Sequence, residues 1–353
     1  MAISGRKTTR RQFVSRTALL TGGIGLGLNS TVANSMTQSE TDNAFSSYQR
    51  RRREDLWGLL GDLPWQHEPA SPKVVRTEVH ETYTLERLVL DLNGIEPVPA
   101  VLLIPNSLEQ PAPGLLFIHW HAGMYDLGKE QLLRGTNVQP AYAPVLAEMG
   151  VITLAIDSWC FGERQHDTNG HRGEEDTFKL MLWRGQVLWG MMMFDEFRAL
   201  SYLASRKEVD PRRLGVTGMS MGSTKAWWLA ALAPRIRLTI DLCCLTDFES
   251  LIAAKGLSGH GIYYFVPSLL KQFDTAGINE LIVPRPHLSV NGRKDPLTPP
   301  AGVEKVREKL LPVYRQYGRE EDCRIELFDC AHEETPEMRS IIIEWMQRYL
   351  VAR

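Results

Sequence analysis

The sequence contains no C-x-x-C pair, so its five cysteines (Cys160, Cys243, Cys244, Cys323 and Cys330) outline no zinc site. Cys323 and Cys330 bracket a stretch that reads as a strand, which would hold them too far apart to bond. Buried free thiols are therefore expected. Excess charge is also scarce: the formal net charge is -2, which gives no electrostatic reason to expect a nucleic-acid partner. No internal repeat or low-complexity tract occurs. What remains is ordinary globular composition, 43% hydrophobic and 23% charged over 353 residues. That suits one large α/β domain with extensions, or two medium domains.

Acids are missing from residues 1 to 33, where Arg6, Lys7, Arg10, Arg11 and Arg16 stand alone. Without that segment the charge moves from -2 to -7. Thr9-Arg10-Arg11-Gln12-Phe13 is followed by an apolar, glycine-rich stretch from Thr17 to Leu28 and by small residues around Ala33. This pattern resembles a twin-arginine export signal, with cleavage expected near Ala33. The apolar stretch is too short to span a bilayer, and no cysteine lies near Ala33 to carry a lipid, so no stable membrane anchor is expected. The resemblance implies the twin-arginine export machinery as a partner and a periplasmic or secreted mature protein. Residues 1–35 are then signal, 36–73 an N-terminal extension and 74–353 the main domain. Residues 36 to 55 read as a loose polar lead-in. Leu56, Leu59 and Leu60 suggest a short docking helix, with Arg50 to Arg53 as its solvated face.

From Val74 to Asp91 apolar residues alternate as in two antiparallel strands. Val98 to Ile104 is another strand. Gly114 to Trp120 is a continuous apolar run, as in a strand buried on both faces. Asn137 to Met149 reads as a helix, Val151 to Asp157 as a strand, and Gly162 to Asp176 as a long polar rim. Gln186 to Ser205 is a helix whose Met191, Met192, Met193 and Phe194 are core. Further strands are expected at Leu238–Cys243, His287–Asn291 and Cys323–Phe328, with helices at Ala301–Tyr317 and Pro336–Val351. Such alternation predicts a mostly parallel sheet covered by helices on both faces, with the two opening antiparallel strands as an edge.

The chemistry centres on Gly218-Met219-Ser220-Met221-Gly222, a G-x-S-x-G between an expected strand at Arg213–Thr217 and an expected helix at Ser223–Ala233. That context lifts a serine nucleophile on a sharp turn and aims the following helix's N–H groups at developing negative charge. The glycines leave room for neighbouring backbone. A serine needs a base, and the base an orienting acid, here in the chain order Ser, acid, His. Of His260, His287 and His332, only His332 falls in a loop after the last strand. Asp295, in the turn after a strand, is the acid; Asp247 is its rival, and Glu333 and Glu334 read as solvated. The oxyanion donors expected are the N–H of Met221 and one from the loop His119-Trp120-His121-Ala122-Gly123. His166 and His171 lack a matching cysteine or acid pattern, so no metal is expected, and no cofactor.

These stretches, with Asp157–Glu163, Trp183–Tyr202, His260–Pro286 and Asn291–Pro300, resemble the α/β-hydrolase fold. The chain is similar to the branch of dienelactone-hydrolase-like and acetyl-xylan-esterase-like proteins, from Val74 to the C-terminus. The resemblance implies Ser220, Asp295 and His332 as the triad and the backbone of His121 as second oxyanion donor. It departs from the family where His119-Trp120 replaces the usual His-Gly, and from dienelactone hydrolases proper in having serine as nucleophile. An exported esterase acting on short acyl esters of carbohydrates is the expectation. The alternatives are a peptidase or amidase of the same fold, a generalist carboxylesterase, or a silent binding protein. Gly162–Phe178 and Asp247–Pro286, with Tyr263, Tyr264 and Phe265, are expected to shape the pocket.

The leader yields a direct test. Replacing Arg10 and Arg11 with lysine should strand the precursor in the cytoplasm, followed by cell fractionation and immunoblotting. Undiminished export of the twin-lysine precursor would refute the assignment.

Overall fold

The runs Ala112–Ile118 and Ile152–Ile156 are buried along their whole length and form two central strands, β4 and β5. They belong to a nine-stranded sheet of order β1-β2-β3-β5-β4-β6-β7-β8-β9. The outer members are β1 (Lys73–Val79), β2 (Tyr83–Leu90) and β3 (Val98–Pro105) on one side. On the other lie β6 (Val209–Met219), β7 (Leu238–Leu242), β8 (His287–Gly292) and β9 (Cys323–Phe328). From β5 to β9 all neighbours run parallel. The antiparallel edge holds three strands and not two, because β3 pairs antiparallel with β5 as well as with β2.

This computed structural model describes residues 38–108, 111–165 and 170–352. The leader, with Arg10, Arg11 and Ala33, lies outside them. The chain divides into two units, residues 1–45 and 46–353; of the first, only the opening of helix α1 (Gln38–Gly58) is described. A loose lead-in is therefore corrected to helix. Downstream follow α2 (Ala143–Glu148), α3 (Gly170–Trp183), α4 (Leu188–Ser205), α5 (Met221–Leu232), α6 (Phe248–Ala253), α7 (Pro300–Gln316) and α8 (Pro336–Met346). The helix expected over Asn137–Met149 is only α2, since Pro140 and Pro144 confine it; Pro144 sits in its first turn, where a missing N–H is harmless. The polar rim after Gly162 is largely helical, being α3 from Gly170 onward.

Alternate strand residues point to opposite faces. Leu115, Phe117, Leu238, Ile240, Leu288 and Val290 share one core with Leu146 of α2 and with Met338, Ile342 and Met346 of α8. Their neighbours Leu116 and Ile118 are equally buried and face the other way. On that side α4 and α5 pack against β4 and β6. Every residue of α5 is buried, and Met191 to Phe194 of α4 are core.

Since α5 is wholly buried, its last carbonyls need protein partners. Arg285 supplies a bond to Ala230 O at 2.7 Å, and Arg53 one to Ala231 O at 2.8 Å. Burial, with Arg53 beside it, lowers the Arg285 pKa to about 10. The run Arg50–Arg53 is thus only half solvated, because Arg52 also bonds Gln272 O. Leu56 and Leu60 dock as expected, with Leu59 half-buried. All five cysteines are buried and free.

Charges are also packed beside α4. Arg164 is buried between Glu96 at 2.6 Å and Asp195 at 2.9 Å, and Lys225 of α5 reaches Glu196 at 3.1 Å and Ser158. Removing the cation from such a group leaves uncompensated buried carboxylates. Arg164→Met is expected to lower stability by about 3–5 kcal/mol. Urea unfolding should show this as a fall in midpoint at constant slope; a loss below about 1 kcal/mol, the value of a surface pair, would contradict it.

Candidate active site

Ser220 stands where β6 gives way to α5, at φ 58 and ψ -118, a left-handed conformation costly for any side chain. Its N–H bonds Leu242 O at 2.9 Å, and its carbonyl accepts from Thr224 at 3.0 Å. Its side chain makes no capping bond to the helix among the described residues. The flanking glycines are demanded by close approach. A Cβ on Gly222 would lie 2.1 Å from Ile118 O, and one on Gly218 2.5 Å from Gly222 C.

His332 lies between β9 and α8, and its Nδ1 is 2.7 Å from Asp295 Oδ2. The other Asp295 oxygen accepts from Leu297 N at 2.9 Å. Two backbone bonds bind the loops carrying them, Arg293 N to Phe328 O at 2.7 Å and Lys294 N to Cys330 O at 2.9 Å. Gly292 permits this, since a Cβ there would fall 2.1 Å from Ala331 O. With Nδ1–H donated to the carboxylate, Nε2 is left to accept a proton. No hydrogen bond joins Ser220 Oγ to His332 among the described residues. The rival Asp247 is occupied elsewhere: it caps α6 through Ser250 N at 2.9 Å and pairs with Lys305 at 2.7 Å. His287 is buried against Asp241 at 2.6 Å, and His260 bonds Leu297 O at 3.1 Å. Glu333 is exposed as expected, but Glu334 is buried, accepting from Tyr142 at 2.8 Å and pairing with Arg339; burial raises its pKa.

The loop after β4 is held by a residue the sequence reading passed over. Gln131 accepts from Trp120 N at 2.9 Å and donates to Trp120 O at 3.3 Å. The Trp120 N–H is thereby taken. The N–H of His121, next along, has no such partner among the described residues, and that of Met221 opens α5, where no intrahelical acceptor exists. Ala122 and Gly123 follow at φ 44 and φ 70, turning the chain sharply. The indole of Trp120 stacks on His332 at 6.5 Å and 19°. Tyr263 is buried and stacks on the His121 ring at 5.3 Å and 25°, whereas Phe265 is exposed. Glu174 and Tyr125, also unforeseen, bond the His121 ring. No periodicity or motif marks Gln131, Glu174 or Tyr125; Glu174 acts across the tertiary fold, and the other two within the segment that follows β4.

Cys243 Sγ, an Asp295 oxygen and a His332 nitrogen lie within 4.8 Å of one another, the described donor set that could hold a metal ion. Burial pushes the Cys243 thiol well up, opposite to what a ligand thiolate requires. An ion with bonds of about 2.0–2.2 Å to nitrogen and oxygen would also have to displace the proton joining His332 to Asp295. His171 is exposed, with Glu175 3.9 Å away; His166 lies outside the described residues.

The sheet, its strand order and the serine turn define an α/β-hydrolase. The chain belongs to the Abhydrolase family, which matches residues 21–297 and so reaches past Asp295 but not to His332. It is similar to YtaP of Bacillus subtilis (strain 168), which carries the name of hydrolase: 43% identity over 301 residues, 85% of this chain and 99% of that one. Among solved structures it is similar to glucuronoyl esterase from Solibacter usitatus, with TM-score 0.64, 15% identity and coverage of 86% and 93%. It is also similar to acetyl xylan esterase 1 from Thermoanaerobacterium sp., with TM-score 0.52, 19% identity and coverage of 87% and 93%. At these identities the likeness is one of fold.

His119 directly follows β4 and is buried. Its Nε2 accepts from Ser158 N at 3.0 Å and its Nδ1 meets Trp120 O at 2.9 Å, a neutral ring. Burial, then the Lys225 charge, lowers its pKa from 6.5 to about 3. The unfolded chain therefore binds the extra proton first, and stability should fall as pH drops from about 6.5 toward about 3. Urea midpoints across that window should decline more steeply for wild type than for His119→Gln. Parallel declines would refute this.

Proposed function

We propose that this chain is an exported serine hydrolase of carboxylic esters. Ser220 is the nucleophile, His332 the base and Asp295 its orienting acid. The observation that carries this reading is the 2.7 Å contact between His332 Nδ1 and Asp295 Oδ2, at the carboxyl end of a sheet whose serine turn stands at φ 58. Ser220 Oγ attacks the ester carbonyl as His332 Nε2 takes its proton. The N–H groups of Met221 and His121 receive the charge that develops on the carbonyl oxygen. The protonated imidazole then gives its proton to the leaving alcohol, and water, activated by the same histidine, releases the acid from the acyl-enzyme. Asp295 keeps the ring in the tautomer that leaves Nε2 free and stabilises the imidazolium.

The substrate class we assign is short acyl esters, acetyl groups on carbohydrates above all. Two observations support it. The indole of Trp120 is 3% exposed and stacks on the base, which narrows the space beside the oxyanion loop. The similar folds named above include an acetyl xylan esterase and a glucuronoyl esterase. The expected export supports it too, by placing the enzyme where polymeric carbohydrates arrive.

The test is a series of p-nitrophenyl esters from acetate to octanoate, beside acetylated xylan and a peptide anilide. Activity should fall along the series, each methylene that no longer fits costing about 1 kcal/mol or more. Ser220→Ala should lose at least about a thousandfold in kcat while staying folded. Retention of a tenth of the activity would remove Ser220 from its role. A maximum at octanoate with no acetate released from xylan would end the substrate assignment, and preference for the anilide would make the protein a peptidase.

A further inference from the structure

Glu174 is a buried carboxylate that the steps above do not use. It sits on α3, with no exposed side-chain surface, and one of its oxygens, Oε1, is buried without a hydrogen-bond partner among the described residues. The other, Oε2, has two partners: the His121 ring Nε2 at 3.1 Å and the Tyr125 hydroxyl at 3.0 Å. A half-satisfied buried carboxylate costs stability. An apolar side chain would serve packing better here, between the aromatic rings of Tyr125, Phe161 and Tyr263 that surround His121.

The other nitrogen of His121 explains what the carboxylate does. Gly123 N lies 3.0 Å from His121 Nδ1, and a backbone N–H can only donate. Nδ1 therefore carries no proton and the ring proton is on Nε2, which faces Glu174 Oε2 at 3.1 Å and the Tyr125 hydroxyl at 3.2 Å; since that hydroxyl donates to Glu174, the carboxylate is the acceptor for Nε2–H. One imidazole thus ties the sharp turn at Ala122 and Gly123 back onto itself and anchors the whole turn to α3. His121 is also the residue whose backbone N–H is proposed to receive the oxyanion. Its ring orientation and its N–H orientation are both constrained by the same short turn.

We propose that Glu174 is a positioning residue for the oxyanion loop. It fixes the Nε2-protonated tautomer of His121, and through the His121–Gly123 bond it holds the His121 N–H aimed at the carbonyl oxygen beside Ser220. This inference rests on the esterase reading for its kinetic consequence, but not for its structural one.

The test uses the full mature protein with p-nitrophenyl acetate. Glu174→Met keeps the volume and removes the acceptor; it should lower kcat about 10- to 100-fold, the cost of a misplaced group, while KM stays within about threefold. A trifluoromethyl ketone, whose adduct with serine mimics the tetrahedral intermediate, should lose affinity by the same factor. Glu174→Gln, which can still accept from Nε2–H, should return kcat to within about threefold of wild type. Loss of packing alone would lower stability and leave both the kcat-to-KM split and the ketone affinity unchanged. A Met variant with wild-type kcat, or a Gln variant as poor as Met, overturns the proposal. Should Glu174→Met not fold, His121→Phe keeps the ring stack and should show the same loss; full activity there is equally fatal. Nitrogen-15 NMR of the His121 ring, assigned by its absence in His121→Phe, should report the Nε2–H tautomer in wild type and a mixture in Glu174→Met. An Nδ1–H tautomer in wild type overturns the proposal whatever the enzyme hydrolyses. A wild type inactive on every ester, with the Nε2–H tautomer present, would instead overturn the esterase reading and leave the positioning role standing.

Discussion

The molecule depends on how closely the chain around Ser220 approaches the end of β4. Gly218 and Gly222 face the carbonyls of Ile118 and His119 at distances that admit no side chain. That approach lets one serine leave β6 in a left-handed conformation with α5 beginning directly behind it. The strain is local, but it is sustained by burial of the whole of α5, because a partly exposed helix could slide and release the turn.

Burying a helix on every side creates a second problem, the ends and polar side chains that it carries inward. Arg285 and Arg53 answer its last carbonyls, and Lys225 is answered by Glu196 and Ser158. Burial lowers the Lys225 pKa and raises that of Glu196, so each is pushed toward neutrality in spite of its partner. Buried ion pairs of this kind add little net stability but are costly to break. They are better understood as constraints on where α4 and α5 can sit than as the source of the fold's stability. The arginine run on α1 takes part in the same scheme, which is why half of it is not solvated.

The local grammar of the chain was legible. Gly218 to Gly222 between a β-prone run and a helix-prone run pointed to the serine turn, and loop position after the last strand separated His332 from His260 and His287. The parallel sheet followed from alternation of strands and helices. Misreadings occurred where local signals were weak or were overridden. Residues 36 to 55 are too polar to show a core-facing stripe, yet α1 begins at Gln38. Glu334 looked like a solvated neighbour of His332, and packing against Tyr142 buried it. The polar stretch after Gly162 looked like a loop because its apolar residues are few, although α3 begins at Gly170.

The sequence by itself determined the kind of site: a serine on a glycine-flanked turn, with an acid and a histidine in the right chain order. Those are properties of short segments, where glycine, proline and hydrophobic period act over a few residues. Only the tertiary structure placed Asp295, and not Asp247, against His332, because that contact depends on which loop lies beside the histidine, and Gly292 allows β8 and the histidine loop to touch. Only the tertiary structure, likewise, brought Glu174 to the loop after β4. Its side chain acts across the fold on His121, 53 residues away in sequence. Such contacts leave no periodicity, since they are set by how helices settle on a sheet and not by the residues on either side.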